Sequence, residues 1–145
     1  MTRVDPEETF ERVFRTAKIG RKAETIPPNS INLATVYIGF HHCPLPLREA
    51  FIGSIREVIT PGGYLILRDH NVHNEKMQKM VALAHDVFNM GTAESWDYNE
   101  RELRHFYSLE ELDAMLVKWG FKSDGRRLYQ SGDPTLNALM LYRKV

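Results

Sequence analysis

Chemistry in this sequence concentrates just downstream of two apolar runs. His41 and His42 close the first run, and Arg68, Asp69, His70 and His73 close the second. A neutral imidazole can take a proton from a hydroxyl or an amine, so His41 and His42 are candidate catalytic residues acting as general bases. The plain alternative is that one of them packs and hydrogen-bonds to hold its loop. Arg68, Asp69 and His70 read as a polar rim able to contact a substrate, or as a solvated loop. Asp69, His70 and His73 have generic metal-ligand spacing without an evident fourth ligand, and no metal is assigned to them. Cys43 beside His42 has no orienting acid or oxyanion site in the sequence, which makes it a structural thiol rather than a nucleophile. Trp96, Tyr98, His105, Phe106 and Tyr107 form an aromatic segment, read either as a lid over a pocket, with Trp96 and Tyr107 on the substrate rim, or as a loop packed on the core. The methionines at 77, 80 and 90 read as helix packing.

These side chains need elements to position them. Asp5-Pro6-Glu7-Glu8 is a helix start, and Phe10, Val13, Phe14 and Ala17 follow at helical spacing up to Gly20-Arg21-Lys22. Ala23 to Ser30, with Pro27-Pro28, is a loop. Ile31 to Gly39 is apolar and rich in β-branched and aromatic residues, as in a parallel strand covered on both faces. Leu47, Phe51, Ile55 and Val58 make one helical stripe, Pro61-Gly62-Gly63 is a sharp stop, and Tyr64 to Arg68 is a second buried strand. Strand, helix and strand with short joints form a βαβ unit, which places the strands as parallel neighbours and His41-His42 at the carboxyl edge of the sheet. Met77, Met80, Val81, Ala84, Val87 and Phe88 mark a further helix. The stretch from Gly91 to Arg104 is polar. Ser108 and Glu111 form a capping box ahead of a stripe of Leu109, Leu112, Met115, Leu116 and Trp119, with Gly120 as terminator. Phe121 to Tyr129 and Leu136 to Arg143 read as a terminal hairpin around Ser131-Gly132-Asp133-Pro134.

A chain of 145 residues, 43% hydrophobic and 26% charged, reads as one globular domain over residues 1–145. Nineteen basic and nineteen acidic side chains cancel, so long-range steering toward nucleic acid or an anionic membrane is not expected. One cysteine suits a reducing compartment, and no uncharged apolar run approaches the ~20 residues that span a bilayer. The expectation is a soluble cytoplasmic protein without a membrane partner.

Four local sequences resemble the class I S-adenosylmethionine-dependent methyltransferases, of the small-molecule type. Ala23-Glu24-Thr25-Ile26-Pro27 with Asn29-Ser30 is similar to the segment after strand three, where that family contacts the adenine ring. Phe40-His41-His42 with Pro44 is similar to the end of strand four. Pro61-Gly62-Gly63-Tyr64-Leu65 resembles the turn into strand five, and Phe106 to Leu112, followed by Trp119-Gly120-Phe121, resembles the late helix and the strand after it. The resemblance implies an α/β fold: a Rossmann-like methyltransferase half-sheet, mostly parallel, with a C-terminal antiparallel hairpin and strands ordered four, five, seven, six. It further implies S-adenosylmethionine as cofactor, contacted at Ala23, Glu24, Val36 and Tyr37, and a methyl transfer to a small-molecule acceptor assisted by His41 and His42.

Departures from that pattern define the alternatives. No Gly-rich loop precedes Ile31, and such a loop lets backbone amides approach the cofactor. Asp5 is better read as a helix cap than as a ribose ligand, and Lys22 stands where the family carries an acid. Without strands one to three, the strand from Ile31 to Phe40 is an exposed edge, so a homodimer or partner chain is expected there. A non-catalytic methyltransferase-like binding or assembly module, or one half of a site completed by another chain, are the other readings.

Overall fold

The computed structural model describes residues 26–145. The proposed N-terminal helix, Asp5, Lys22, Ala23 and Glu24 lie outside the described residues. Four strands form one sheet: β1 (Ile31–Tyr37), β2 (Ile59–Asp69), β3 (Phe121–Tyr129) and β4 (Ala138–Lys144), in the spatial order β1-β2-β4-β3. This is the expected order four, five, seven, six. The expectation of a mostly parallel sheet is corrected. β1 and β2 run parallel, but β4 enters antiparallel between β2 and β3, so two of the three pairings are antiparallel.

Helix α1 (Arg48–Val58) connects the parallel pair and buries Ile52. Its stripe of Leu47, Phe51 and Ile55 packs around that residue. The helix stops at Val58, and Pro61-Gly62-Gly63 lies inside β2 rather than ahead of it. The register explains how: Ile31 pairs with Ile59 while Leu33 pairs with Tyr64, so the extra residues bulge out of the ladder. Gly62 has φ 75° there, and a Cβ on Gly63 would meet Ile59 Cγ2 at 2.7 Å and the Asn32 carbonyl at 3.0 Å. Glycine is therefore required by conformation at one position and by space at the next.

Helix α4 (Leu109–Lys118) carries the expected capping box. The Ser108 side chain accepts from the Glu111 backbone and Glu111 reaches back to the Ser108 backbone. Leu109, Leu112 and Leu116 are fully buried against Leu65, Leu67, Met140 and Tyr142 of the sheet. Burial of each such leucine contributes about 1.5–3 kcal/mol. Gly120 ends the segment at φ 83°, as expected.

One face of the sheet is thus dry. The other carries Leu33, Tyr37, Tyr64 and Leu128, all exposed. β1 was expected to be covered on both faces; here Leu33 is 50% and Tyr37 56% exposed, and β1 ends the described sheet. Helix α2 (Glu75–Gly91) also departs from its pattern. It buries Val81, His85 and Asn89, while Leu83, Val87, Phe88 and Met90 face outward. The polar stretch after it contains a short helix α3 (Trp96–Arg101), capped by Ser95. Among the described residues no helix is long and apolar enough to cross a membrane.

Candidate functional site

At the carboxyl end of β1 the chain turns sharply. Ile38 adopts φ 48°, an outlier for a β-branched residue, and its amide donates to the Arg68 carbonyl of β2 at 2.8 Å. A 3₁₀ turn (Phe40–His42) follows and delivers both histidines to the crevice beyond the strand ends. Phe40 anchors this turn in the core, fully buried and 6.0 Å from the Phe51 ring.

β2 reaches the same place. Alternation along the strand puts Leu65 and Leu67 in the core and carries Asp69 onto the same side, 1% exposed. Arg68 falls on the opposite face and hydrogen-bonds Gln130. Asp69 is therefore a buried strand residue, which corrects the solvated Arg68–Asp69 loop read from sequence.

Asp69 is the hub. His41 Nδ1 donates to its Oδ1 at 2.6 Å, the His70 amide donates to the same oxygen at 2.9 Å, and the Tyr107 hydroxyl donates to Oδ2. Burial works against the charge on Asp69, yet these donors hold its carboxyl below the usual carboxylate range. The same burial, reinforced by Asp69, pushes the Tyr107 phenol well above its ordinary value. Arg48 lies across the Phe40 and Tyr107 rings at 5.2 and 4.9 Å and donates to the His105 carbonyl at 2.6 Å.

The segment between α3 and α4 folds over the histidines. The His105 amide donates to the His41 carbonyl at 2.9 Å, and His42 Nδ1 donates to the Leu103 carbonyl at 2.6 Å. Burial, helped by neighbouring His41, lowers the His42 pKa to about 4, so its ring is neutral near pH 7. His70, lowered to about 4 mainly by burial, is neutral too, and its Nδ1 lies 2.9 Å from Thr135 Oγ1.

The sequence reading did not select His85, yet α2 brings it into this nest. Its ring centroid stands 4.9 Å from His41, 5.3 Å from His42 and 5.4 Å from both His70 and Phe106. Its Nδ1 lies 3.5 Å from Glu102 Oε2. Burial disfavours the Glu102 charge, but hydrogen bonds from His85 and Arg104 outweigh it and bring the pKa to about 2. Arg104 also donates to Asp86 at 2.7 Å, to the Ala82 carbonyl at 3.1 Å and to Asn99 at 2.6 Å, clamping α2 to the covering segment. The available signal was the polar stripe His85 and Asn89 four residues apart on one helix face.

The structure brings together His41, His42, Asp69, His70 and Tyr107. It does not bring in Trp96, which is exposed with its indole N–H donating to Glu100 at 2.7 Å, nor His73, whose Nδ1 lies 3.3 Å from the Asn71 carbonyl. Val36 faces the core side of β1 and Tyr37 its exposed side. Cys43 is buried, and burial pushes its thiol up to about 11 despite nearby Arg48, which fits a structural thiol. Two groupings have metal-compatible spacing, His41 with His42 and His85, and His41 with Asp69 and His70.

No protein-family model matches this sequence and no curated protein matches it. Solved structures do resemble it in fold. An S-adenosylmethionine-dependent methyltransferase from Methanosarcina mazei superposes with a TM-score of 0.60 at 18% identity, covering 85% of this chain and 63% of that one. The 1,6-didemethyltoxoflavin-N1-methyltransferase of Burkholderia thailandensis, with 1,6-didemethyltoxoflavin and S-adenosylhomocysteine bound, gives 0.57 at 13% identity, covering 81% and 45%. A family 2 O-methyltransferase from Planctomyces limnophilus in complex with apigenin gives 0.58 at 17% identity, covering 85% and 32%. The chain spans less than two thirds of the length of each. These likenesses establish a class I methyltransferase-like α/β fold, present in part.

Proposed function

We propose that this chain is the acceptor-side portion of an S-adenosylmethionine-dependent methyltransferase acting on a small molecule. The observation that carries the reading is the His41–Asp69 pair, held at 2.6 Å at the carboxyl edge of the only parallel strand pair described, in a fold shared with such enzymes. Methyl transfer from a sulfonium needs alignment more than covalent help, and a base matters when the acceptor must lose a proton. Because the Asp69 carboxylate can only accept, a neutral His41 carries its proton on Nδ1 and presents a lone pair on Nε2, the form a general base requires. His42, neutral by burial, is the second proton acceptor. Asp69 and Tyr107 position His41, and His70 borders the acceptor, while Arg68 on the opposite face and the exposed Trp96 stand apart from it. Ala23, Glu24, Val36 and Tyr37 are the cofactor contacts in this reading. The strained turn at Ile38 supports it, since such strain clusters at ligand sites.

A second reading has its own observation. The apolar outer face of β1 and its edge, unpaired among the described residues, suit a homodimer or a partner chain along Ile31 to Phe40, which would either complete the cofactor site or use the chain as a non-catalytic assembly module. A cytoplasmic location accords with the lone free cysteine.

Calorimetric titration of the chain with S-adenosylmethionine and S-adenosylhomocysteine tests the proposal. Saturable binding that is lost in Tyr37→Ala supports a cofactor site bordered by β1. Absence of binding by the folded chain, alone and as whatever oligomer it forms, overturns a cofactor site on this chain and shifts the reading to the assembly module or to half of a site completed by another chain.

A further inference from the structure

We infer that His41, His42 and His85 form a binding site for a divalent transition-metal ion of the zinc class, with His70 flanking its open side. One nitrogen of each of the three imidazoles lies within 4.8 Å of one nitrogen of each of the others. The inference rests on the imidazoles alone and needs nothing from the methyl-transfer reading.

The hydrogen-bond network fixes which nitrogen each ring presents. A carboxylate and a backbone carbonyl accept only, so His41 and His42 carry their protons on Nδ1, toward Asp69 and Leu103. His85 turns Nδ1 toward the Glu102 carboxylate. At His70, the Thr135 hydroxyl hydrogen is committed to Asp133 at 2.6 Å, so Thr135 Oγ1 accepts from His70 Nδ1. In the neutral form that binds a metal, each ring is left with its lone pair on Nε2. Those of His41, His70 and His85 are buried and have no hydrogen-bond partner.

Buried acceptors without a donor are rare, and three in one nest call for an electron-pair acceptor among them. A water molecule has two hydrogens to give and would leave one nitrogen unmet. An ion on His41, His42 and His85 meets three imidazole nitrogens at once, the buried ones of His41 and His85 among them, and leaves His70 on its open side; imidazole nitrogens are preferred ligands in this class. The outer contacts match as well. Metal-binding histidines donate their second ring nitrogen to a carboxylate or carbonyl, as His41 and His42 do here, and His85 Nδ1 faces the Glu102 carboxylate at 3.5 Å. With metal–nitrogen distances of about 2.0–2.1 Å, tetrahedral ligands stand about 3.3 Å apart, so small inward rotations close the site. A metal on His41 withdraws that nitrogen from proton transfer, and a hydroxyl bound on the open side would be acidified by the ion instead.

The test is titration of the chelator-stripped chain with Co²⁺, reading its visible absorption, followed by displacement with Zn²⁺. We expect saturation at one equivalent with the intense bands of a low-coordinate site, and release of the colour by Zn²⁺. His42→Gln and His85→Gln, confirmed folded by circular dichroism, should each weaken binding at least about tenfold, and His73→Gln should leave it unchanged. His42 is half-buried and makes the more tolerant of the two substitutions. Uptake that does not saturate, that survives both variants, or that falls equally in His73→Gln overturns the site.

Discussion

Helices α2 and α4 obey opposite rules. α4 turns Leu109, Leu112 and Leu116 to the sheet and leaves its charges outside. α2 has as clear an apolar stripe, yet it turns His85 and Asn89 inward and leaves Leu83, Val87 and Phe88 in contact with solvent, Phe88 being 68% exposed. What lies opposite each helix decides the matter. α4 faces aliphatic side chains, which reward apolar area. α2 faces Glu102, Asn99, Arg104 and the histidine nest, which reward donors and acceptors. A helix next to a site is oriented by the site.

Substitutions in the two helices should differ in kind. Leu112→Ala should cost about 2–5 kcal/mol in urea unfolding, because it opens a cavity in the dry layer, while Co²⁺ uptake stays unchanged. Asn89→Ala should cost about 1–3 kcal/mol, since Asn99 and Glu102 lose their donor in a buried network; a value near zero would mean that the inward face of α2 is not the structural one. Phe88→Ser should change stability by no more than about 0.5 kcal/mol, as for ordinary surface positions. A loss of several kcal/mol there would show that the outward face of α2 is covered in solution and would reverse the contrast.

Legibility in the sequence follows the same divide. Where apolar burial governs, the residues told the truth: the stripe of α4, its capping box, the Gly120 terminator, the βαβ unit and the closing hairpin were all readable. The strand order came from the family resemblance rather than from the pattern itself. Pro61-Gly62-Gly63 misled because a glycine pair that stops a helix also permits a bulge, and only the pairing register distinguishes them. The site was half legible. His41, His42, Asp69 and His70 were picked out from their place beyond the strands, and Tyr107 from its aromatic segment. His85 and Glu102 were not, because a polar residue on an amphipathic helix looks solvated until the partner opposite is known.

The placement of β4 has a consequence for synthesis. It fills the slot between β2 and β3, and β2 has no neighbour on that side until residues 138–144 arrive. A nascent chain made at roughly 5–20 residues per second therefore carries β2 with one open flank while more than sixty further residues are added (from Asp69 to Ala138). β4, which joins β2 to β3 in the sheet, is made only after both of them. Until then the Asp69 end of β2 lacks the neighbouring strand against which the nest is built.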